Sequence, residues 1–220
     1  MIYLISGAPR CGKTILAKRL ASSHKLSWIT TDALYWAFLR FIPETERALR
    51  LPGSRMGGDG KRYGFEVHPP EQLLAAEVAD ADTIWPGVKA LIKHLIDCRQ
   101  DYVIEGVHLL PRLVSELRGT PYWRSIRVVY LVKMDENLIR RGFLLNSGEY
   151  DWMCGAFSRP EGLAAAARMV SVKSRYFEKE AKRRRLSVVN TERGFAAKLR
   201  EAARTLGLGR GGRRKFLTPP

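Results

Sequence analysis

The stretch Gly7-Ala8-Pro9-Arg10-Cys11-Gly12-Lys13-Thr14 matches the pattern G-x-x-x-x-G-K-[ST] at every fixed position. An apolar run at residues 2–6 precedes it, and leucines and alanines at residues 16–21 follow it with helical spacing. A loop between a strand and a helix turns its backbone N–H groups inward, and the helix N-terminus adds positive potential. We therefore predict that these eight residues cradle a nucleotide polyphosphate, with Lys13 at its β- and γ-phosphates and the Thr14 hydroxyl on Mg²⁺.

Cys11 lies inside this loop, close to the expected N-terminus of the helix. A thiol in that position is expected to have a lowered pKa, which predicts sensitivity to oxidation or alkylation. The alternative is an incidental small residue in the variable part of the loop, with no role of its own.

Outward from this loop, short apolar runs alternate with longer amphipathic stretches, which is typical of a parallel α/β sheet. The pattern predicts strands at residues 2–6, 27–30, 102–105, 126–132 and 186–190. Helices are predicted from about Gly12, over 31–39, from Pro86 through Ile96, over 111–117, after Asp135, over 162–184, and over a last stretch with Phe195, Leu199 and Leu206 on one face. Asp135 and Thr191 are candidate N-caps, and Pro86 suits a first helical turn.

Two segments depart from this alternation. Residues 43–69 carry five glycines, mixed charges and no clear periodicity, so we predict a mobile insertion. After Gly207, the sequence GLGRGGRRKFLTPP has the composition of a basic flexible tail. The predicted organisation is one domain over residues 1–206 and a tail over 207–220.

Two carboxylates follow predicted strands at the edge where α/β proteins place their sites. Asp32 could accept the proton of an attacking hydroxyl, hold Mg²⁺ through water, or cap the next helix together with Thr30 and Thr31. Glu105 ends an apolar strand, as does the acidic residue that orders metal or water beside a γ-phosphate. His108 is a weaker candidate for contact with the phosphoryl acceptor.

Arginines follow the central strand. Arg140 and Arg141 lie on the next predicted helix, where they could close over phosphates and stabilise charge in a transition state, although a solvated helical face is the alternative. Arg159 is a further candidate of the same kind, and residues 135–159 form the predicted lid region.

Composition limits the remaining possibilities. The chain has 220 residues, of which 45% are hydrophobic and 27% charged, so a mostly disordered chain is excluded. No apolar run is long enough to cross a bilayer, and the N-terminus does not resemble a signal peptide. Cysteines 11, 98 and 154 are few and scattered, so we expect no disulfide framework and a cytoplasmic location.

The net charge of +16 is concentrated near the C-terminus. Residues 173–215 hold 15 basic and four acidic side chains. Such a segment attracts polyanions, so nucleic acid is a possible partner, while a solvated helix with a basic tail is the plainer alternative.

These pieces, in this order, resemble the P-loop kinase superfamily. The stretches SWITTDALYW and YVIEGVHLLP further resemble 2-phosphoglycerate kinase-type sequences and, more loosely, zeta-toxin-type kinases. The resemblance implies a three-layer sandwich with a five-stranded parallel sheet of order 2-3-1-4-5, helices on both faces and a lid. It also implies ATP and Mg²⁺ as cofactors, Lys13 and Asp32 as catalytic groups, Thr14 and Glu105 at the metal, and Asn190 and Thr191 beside the nucleotide.

The resemblance implies that the phosphoryl acceptor binds near residues 35–70. Cations in this segment suggest an anionic small molecule, although they could equally serve solubility: Arg40, Arg47, Arg50, Arg55, Lys61 and Arg62. A kinase acting on a nucleic-acid end, a nucleotide sugar or an antibiotic, and a nucleic-acid-associated ATPase switch, remain alternatives. The loop also departs from the common form G-x-P-G-[SA]-G-K, because Arg10 and Cys11 replace its middle glycine and small residue.

Overall fold

A parallel five-stranded sheet forms the centre of the protein. The computed structural model describes residues 1–145 and 153–209. The strands are β1 (Ile2–Gly7), β2 (Ser27–Thr30), β3 (Tyr102–Glu105), β4 (Ile126–Val132) and β5 (Val188–Asn190). Their spatial order is β2-β3-β1-β4-β5, and all neighbouring pairs are parallel. The predicted fold class and strand order are confirmed.

The register of the central pair explains why a glycine ends β1. Ile2 pairs with Ile126, and Gly7 pairs with Leu131 at the carboxyl end of the sheet. Gly7 has a φ of 126°, and a Cβ atom there would lie 1.9 Å from the Leu131 carbonyl oxygen. The chain can therefore turn from β1 into the loop only because this residue has no side chain.

Helices cover both faces of the sheet. Helices α1 and α10 pack together on one face, and α5 and α9 pack together on the other. In chain order the helices are α1 (Lys13–His24), α2 (Thr31–Phe41), α3 (Glu44–Arg50), α4 (Gly64–Val67), α5 (Pro70–Asp97), α6 (Pro111–Glu116), α7 (Glu136–Leu145), α8 (Cys154–Phe157), α9 (Pro160–Arg183) and α10 (Phe195–Thr205), with 3-10 turns at Pro52–Arg55, Leu117–Gly119 and Pro121–Ser125. None of these helices is both long and apolar enough to cross a membrane.

Helix α5 corrects one sequence prediction. It begins at Pro70, and Pro86 lies inside it rather than in its first turn. A proline inside a helix removes one hydrogen bond, so the helix continues only where packing compensates. That packing is present on both sides of the proline: Trp85 is buried and donates to Glu116 Oε2 at 2.9 Å, and a Cβ atom on Gly87 would lie 2.1 Å from the Phe38 ring.

The segment 43–69 is also more regular than expected. It contains α3, the 3-10 turn at Pro52–Arg55 and α4. Leu51 is fully buried and Phe65 nearly so, which anchors the segment to the core at two points. The lack of periodicity in the sequence reflects short elements, with Gly57, Gly58 and Gly60 in the connection between two of them, and the mobility of the insertion stays a prediction.

The two predicted helix N-caps, Asp135 and Thr191, have different outcomes. Asp135 caps α7, accepting hydrogen bonds from the N–H groups of Asn137 and Leu138 at 2.9 and 3.0 Å. Thr191 does not cap α10, which is preceded by Gly194 in a left-handed conformation.

The C-terminal boundary of the domain lies beyond the expected one. Leu208 is buried against the core, two residues past residue 206. Residues 146–152 of the predicted lid and 210–220 of the predicted tail lie outside the described residues.

Candidate active site

A cavity of about 2070 Å³ opens at the carboxyl ends of the strands. The loop between β1 and α1 forms one wall, and β3 with the residues that follow it contributes Glu105, Val107 and His108. Residues of α2, of the segment 53–65 and of α5 line the opposite side, and α7 and Arg159 border the opening. This volume exceeds that of typical small-molecule pockets, so it has room for two ligands side by side.

The loop has the backbone expected of a phosphate cradle. Gly12 has a φ of 101° and precedes α1, and no side chain in the described part of the chain caps that helix N-terminus. Lys13 is buried, and its Nζ donates to the Ala8 carbonyl oxygen at 2.8 Å. Among the eight predicted loop residues, those lining the cavity are Pro9, Arg10, Gly12, Lys13 and Thr14, while Gly7, Ala8 and Cys11 lie behind them.

Cys11 does not have the environment expected of a reactive thiol. The residue is fully buried, and its Sγ lies 3.8 Å from Ser174 Oγ. Burial raises the pKa of the thiol, and the nearby Lys13 and Lys133 ammonium groups offset this only in part. The predicted lowering of the pKa is therefore wrong, because desolvation outweighs the positive charge around the loop.

Glu105 and Thr14 meet at the end of β3. The Thr14 hydroxyl donates to Glu105 Oε1 at 2.9 Å. Burial raises the pKa of Glu105, and the positive charge of Lys13 and the Thr14 hydrogen bond oppose that rise. Hydroxyl and carboxylate oxygens are ligands that Mg²⁺ accepts, and Mg²⁺ keeps several waters, so two protein oxygens beside a phosphate chain fit this ion.

Asp32 faces the same cavity from the first turn of α2. Thr30 is the N-cap of that helix, because its Oγ1 accepts a hydrogen bond from the Asp32 N–H at 3.1 Å. The Asp32 carboxylate is 64% exposed and lies 3.7 Å from His108 Nδ1. Thr30, and not Asp32, thus caps α2, and the Asp32 carboxylate is available to a ligand.

His108 is held rigidly beside Asp32. Its Nδ1 shares a 3.0 Å hydrogen bond with Thr31 Oγ1, and its ring stacks on Tyr35 with centroids 5.4 Å apart. Burial lowers the pKa of His108. Gly106, with a φ of 149°, makes this arrangement possible, since a Cβ atom there would lie 1.8 Å from Thr31 Oγ1.

The two arginines predicted for the lid are separated by the fold. Arg141 lines the cavity, whereas Arg140 is exposed and lies outside its lining. Arg159 also lines the cavity and is ion-paired with the buried Glu66 at 2.9 Å. An arginine that the sequence reasoning did not place in this region is Arg10, whose guanidinium lies 5.0 Å from the Phe143 ring and 5.5 Å from the Phe157 ring.

Only some of the cations expected around the acceptor line the cavity. Lys61 and Arg62 line the cavity, and Arg62 is paired with Asp59 at 2.8 Å. The other four lie outside the lining: Arg40, Arg47, Arg50 and Arg55. The expectation of an anionic acceptor therefore loses most of the cations on which it was based.

Of the two residues expected beside the nucleotide, Thr191 lines the cavity and Asn190 does not, and their contact with a nucleotide stays a prediction. Thr191 lines the cavity and donates to the Cys11 carbonyl oxygen at 3.0 Å. Asn190 instead holds Glu192, donating to its Oε2 at 3.0 Å. Burial favours a higher pKa for Glu192, but hydrogen bonds from the Met134 and Asp135 N–H groups outweigh it and lower the pKa.

Among the charged residues of the cavity that the sequence reasoning missed, three come from two long helices. Glu77 and Asp80 come from α5, and Lys173 comes from α9. Lys173 Nζ and Glu77 Oε2 form a buried ion pair at 2.5 Å. The sequence pattern placed the start of this helix at Pro86, so these carboxylates were not assigned to any element.

Comparison with known proteins supports the fold. No family model and no curated protein matches the sequence. Solved structures do match: a gluconokinase from Sinorhizobium meliloti has a TM-score of 0.52 and 17% identity, over 93% of this chain and 90% of that one. A shikimate kinase from Bacteroides thetaiotaomicron has a TM-score of 0.50 and 12% identity, over 94% and 99%. A sugar kinase from Janibacter has a TM-score of 0.50 and 16% identity, over 94% of each chain. The chain thus shares its fold with these three kinases.

Proposed function

We propose that the protein is an ATP- and Mg²⁺-dependent phosphotransferase that moves the γ-phosphoryl group to a hydroxyl of a small molecule. The observation that carries the proposal is the hydrogen bond between Thr14 and Glu105, in a cavity that Asp32 also lines. A phosphate-binding loop, a metal-ligating pair and a free carboxylate are the parts that phosphoryl transfer to a hydroxyl requires. The kinase names of the structural neighbours agree with this proposal.

In this proposal the loop and the metal pair bind the nucleotide. The N–H groups at the start of α1 and the Lys13 ammonium hold the phosphates. Thr14 and Glu105 hold Mg²⁺, which neutralises charge on the phosphate oxygens when it is bound. Arg141 reaches the phosphates from α7, whereas Arg140 has no role, because it lies outside the cavity lining.

Asp32 is the base in this proposal. Its carboxylate is exposed to the cavity and has no capping duty, so it can accept the proton of an attacking hydroxyl. His108 lies 3.7 Å away and orients that carboxylate as a positioning residue. Glu105 is less suited to this task, because its Oε1 already accepts the Thr14 hydrogen bond.

The lid excludes water from the transfer step in this proposal. Arg10 stacks on Phe143 of α7 and on Phe157 of α8, so the phosphate loop and both lid helices share one packed contact. We also propose a cytoplasmic location, since Cys11 and Cys98 are free thiols.

The test is ADP release from Mg-ATP by the full chain, measured with a panel of hydroxyl compounds and, separately, with RNA and DNA. We expect release that depends on a small hydroxyl compound and that Lys13→Ala abolishes. Release that only nucleic acid stimulates would favour the alternative of a nucleic-acid kinase or ATPase. Absence of nucleotide binding would refute the proposal itself.

A further inference from the structure

The inner part of the cavity is formed by charged side chains from two helices. Glu77 and Asp80 lie about one turn apart on α5, and Lys173 approaches Glu77 from α9. Asp80 is only 4% exposed, and the side chains of Glu77 and Lys173 are 12% and 9% exposed. Water therefore screens these charges weakly.

The hydrogen bonds of the two carboxylates are incomplete within the described residues. Glu77 Oε2 accepts from Lys173, but its Oε1 is buried and has no partner there. Asp80 Oδ1 accepts the Gly53 N–H at 3.0 Å, and no hydrogen bond reaches its Oδ2 in residues 1–145 and 153–209. A buried polar atom such as Glu77 Oε1 is normally satisfied, so it calls for a donor from a ligand or from ordered water, and Asp80 Oδ2 can accept from the same donor.

The negative charges of the two carboxylates are not fully balanced either. Lys173 is shared by two carboxylates, and it already pairs with Glu77. Burial raises the pKa of Asp80 to about 6, with the Gly53 hydrogen bond opposing the rise and the charge of Glu77 adding to it. The Asp80 side chain is still mostly ionised at pH 7, so among the described residues two buried carboxylates share the single positive charge of Lys173.

The neighbouring wall supplies no positive charge to Asp80. Burial lowers the pKa of His108, which is therefore neutral at pH 7. Burial and the charge of Asp80 raise the pKa of Tyr35 to about 12, so this phenol is neutral too. Asp32, on the same side, is itself negative.

The remaining cations of the cavity lie elsewhere. On the side of the β1–α1 loop, Lys13 donates to the Ala8 carbonyl oxygen, Arg10 stacks on Phe143, and Lys133 lies over the Phe195 ring. Lys61 and Arg141 are exposed to solvent, where their charges are screened. Arg62 is paired with Asp59, and Arg159 with Glu66. The inner part of the cavity is thus acidic, although the chain as a whole carries a net charge of +16.

We propose that the phosphoryl acceptor carries a protonated amine beside its hydroxyls, as amino sugars and amino alcohols do, and that Glu77 and Asp80 bind this ammonium group. The inference rests on the proposed kinase function. An ammonium group supplies three N–H donors and one positive charge, which match the two oxygens and the carboxylate charge that Lys173 does not balance. A neutral polyol would satisfy the oxygens but leave the charge, and an anionic acceptor would add a further negative charge.

Two matched sets of acceptors test this with the full chain and Mg-ATP. The first set is glucosamine, glucose and glucuronate, and the second is 3-amino-1,2-propanediol, glycerol and glycerate. We expect kcat/KM for ADP release to be at least about tenfold higher for the amine in one set than for its neutral and anionic counterparts, a difference of about 1.4 kcal/mol. The amine should also raise the melting temperature of the protein more than its counterparts do.

Asp80→Asn is the diagnostic variant, because asparagine keeps the size and an oxygen for the Gly53 N–H while it removes the charge. It should lower kcat/KM for the amine at least about tenfold more than kcat/KM for the neutral counterpart. The matched control is Asp82→Asn, on the same helix but exposed and paired with Arg112 outside the cavity; it should change neither.

The outcomes separate this inference from the proposed function. If Mg-ATP binds but transfer favours a neutral or anionic acceptor, or if no amine gives an Asp80-dependent transfer or thermal shift, the inference is wrong and the kinase proposal stands. If the protein neither binds Mg-ATP nor releases ADP, the kinase proposal itself fails. Should Asp80→Asn not fold, the comparison within each set on the unmodified protein decides.

Discussion

Replacement of Asp32 by asparagine is the sharpest test of how the two strand-end carboxylates divide their work. The substitution keeps the size of the side chain and removes its charge and its ability to accept a proton. Since Thr30 caps α2, the helix does not depend on this carboxylate. The loss in unfolding free energy should stay within the roughly 0.3 to 1 kcal/mol of a charge at a helix N-terminus.

The effect on the reaction should be much larger. Loss of a general base typically costs about 10² to 10⁴ in rate, which is roughly 3 to 5 kcal/mol of activation free energy. ATP affinity should change little, because Asp32 lies outside the phosphate loop, to which the proposed ATP and Mg²⁺ ligands Lys13 and Thr14 belong. Glu105→Gln should behave differently: it weakens the site shared with Thr14, so part of its defect should be recovered at high Mg²⁺.

Single-turnover transfer to the best acceptor of the panel and ATP affinity, both measured across a magnesium titration, separate the two roles. Asp82→Asn serves as the control for loss of an exposed carboxylate away from the cavity. If Asp32→Asn transfers phosphate normally while Glu105→Gln is inactive at every metal concentration, Glu105 is the base. The assignment of the two carboxylates would then have to be reversed.

Four further perturbations have defined outcomes. Lys13→Ala should abolish ATP turnover and cost only about 1 kcal/mol of stability, because a single hydrogen bond is removed; an active variant, by ADP assay, would contradict the role of the loop. Gly106→Ala should destabilise the fold by about 1 to 3 kcal/mol or more, because its positive φ and the close approach of Thr31 both oppose a Cβ atom; an unchanged denaturation midpoint would count against this geometry. Because the pKa of Asp80 is raised in the folded state to about 6, unfolding free energy should fall as pH rises from 4 to 7, and Asp80→Asn without ligand should become more stable than wild type by about 2 to 3 kcal/mol at pH 7 but not at pH 4; equal melting curves at both values would refute the shift. Removal of residues 210–220 should leave transfer to small molecules unchanged, whereas a nucleic-acid partner would show a flatter dependence of log K on log salt, by about 0.7 to 0.9 for each phosphate that the shortened chain no longer neutralises.

The sequence alone was sufficient for the strands and for the phosphate loop. Each depends on contiguous residues: an apolar run such as residues 126–132 has to be buried on both faces, and Gly7 through Thr14 set a local backbone at a helix N-terminus. The meeting of Thr14 with Glu105 also followed from the sequence, because parallel strands bring their carboxyl ends to one edge of the sheet.

Tertiary packing decided the rest. Helix α5 continues through Pro86 because Trp85 and Gly87 are packed against distant residues, and that continuation brings Glu77 and Asp80 into the cavity. Lys173 is almost a hundred residues from Glu77 in the chain, and no local pattern relates the two. The burial that raises the pKa of the Cys11 thiol likewise comes from surrounding elements, and a sequence motif carries no measure of desolvation. Local backbone preference therefore determined the side of the cavity with the β1–α1 loop, while long-range packing determined the side with Glu77, Asp80 and Lys173.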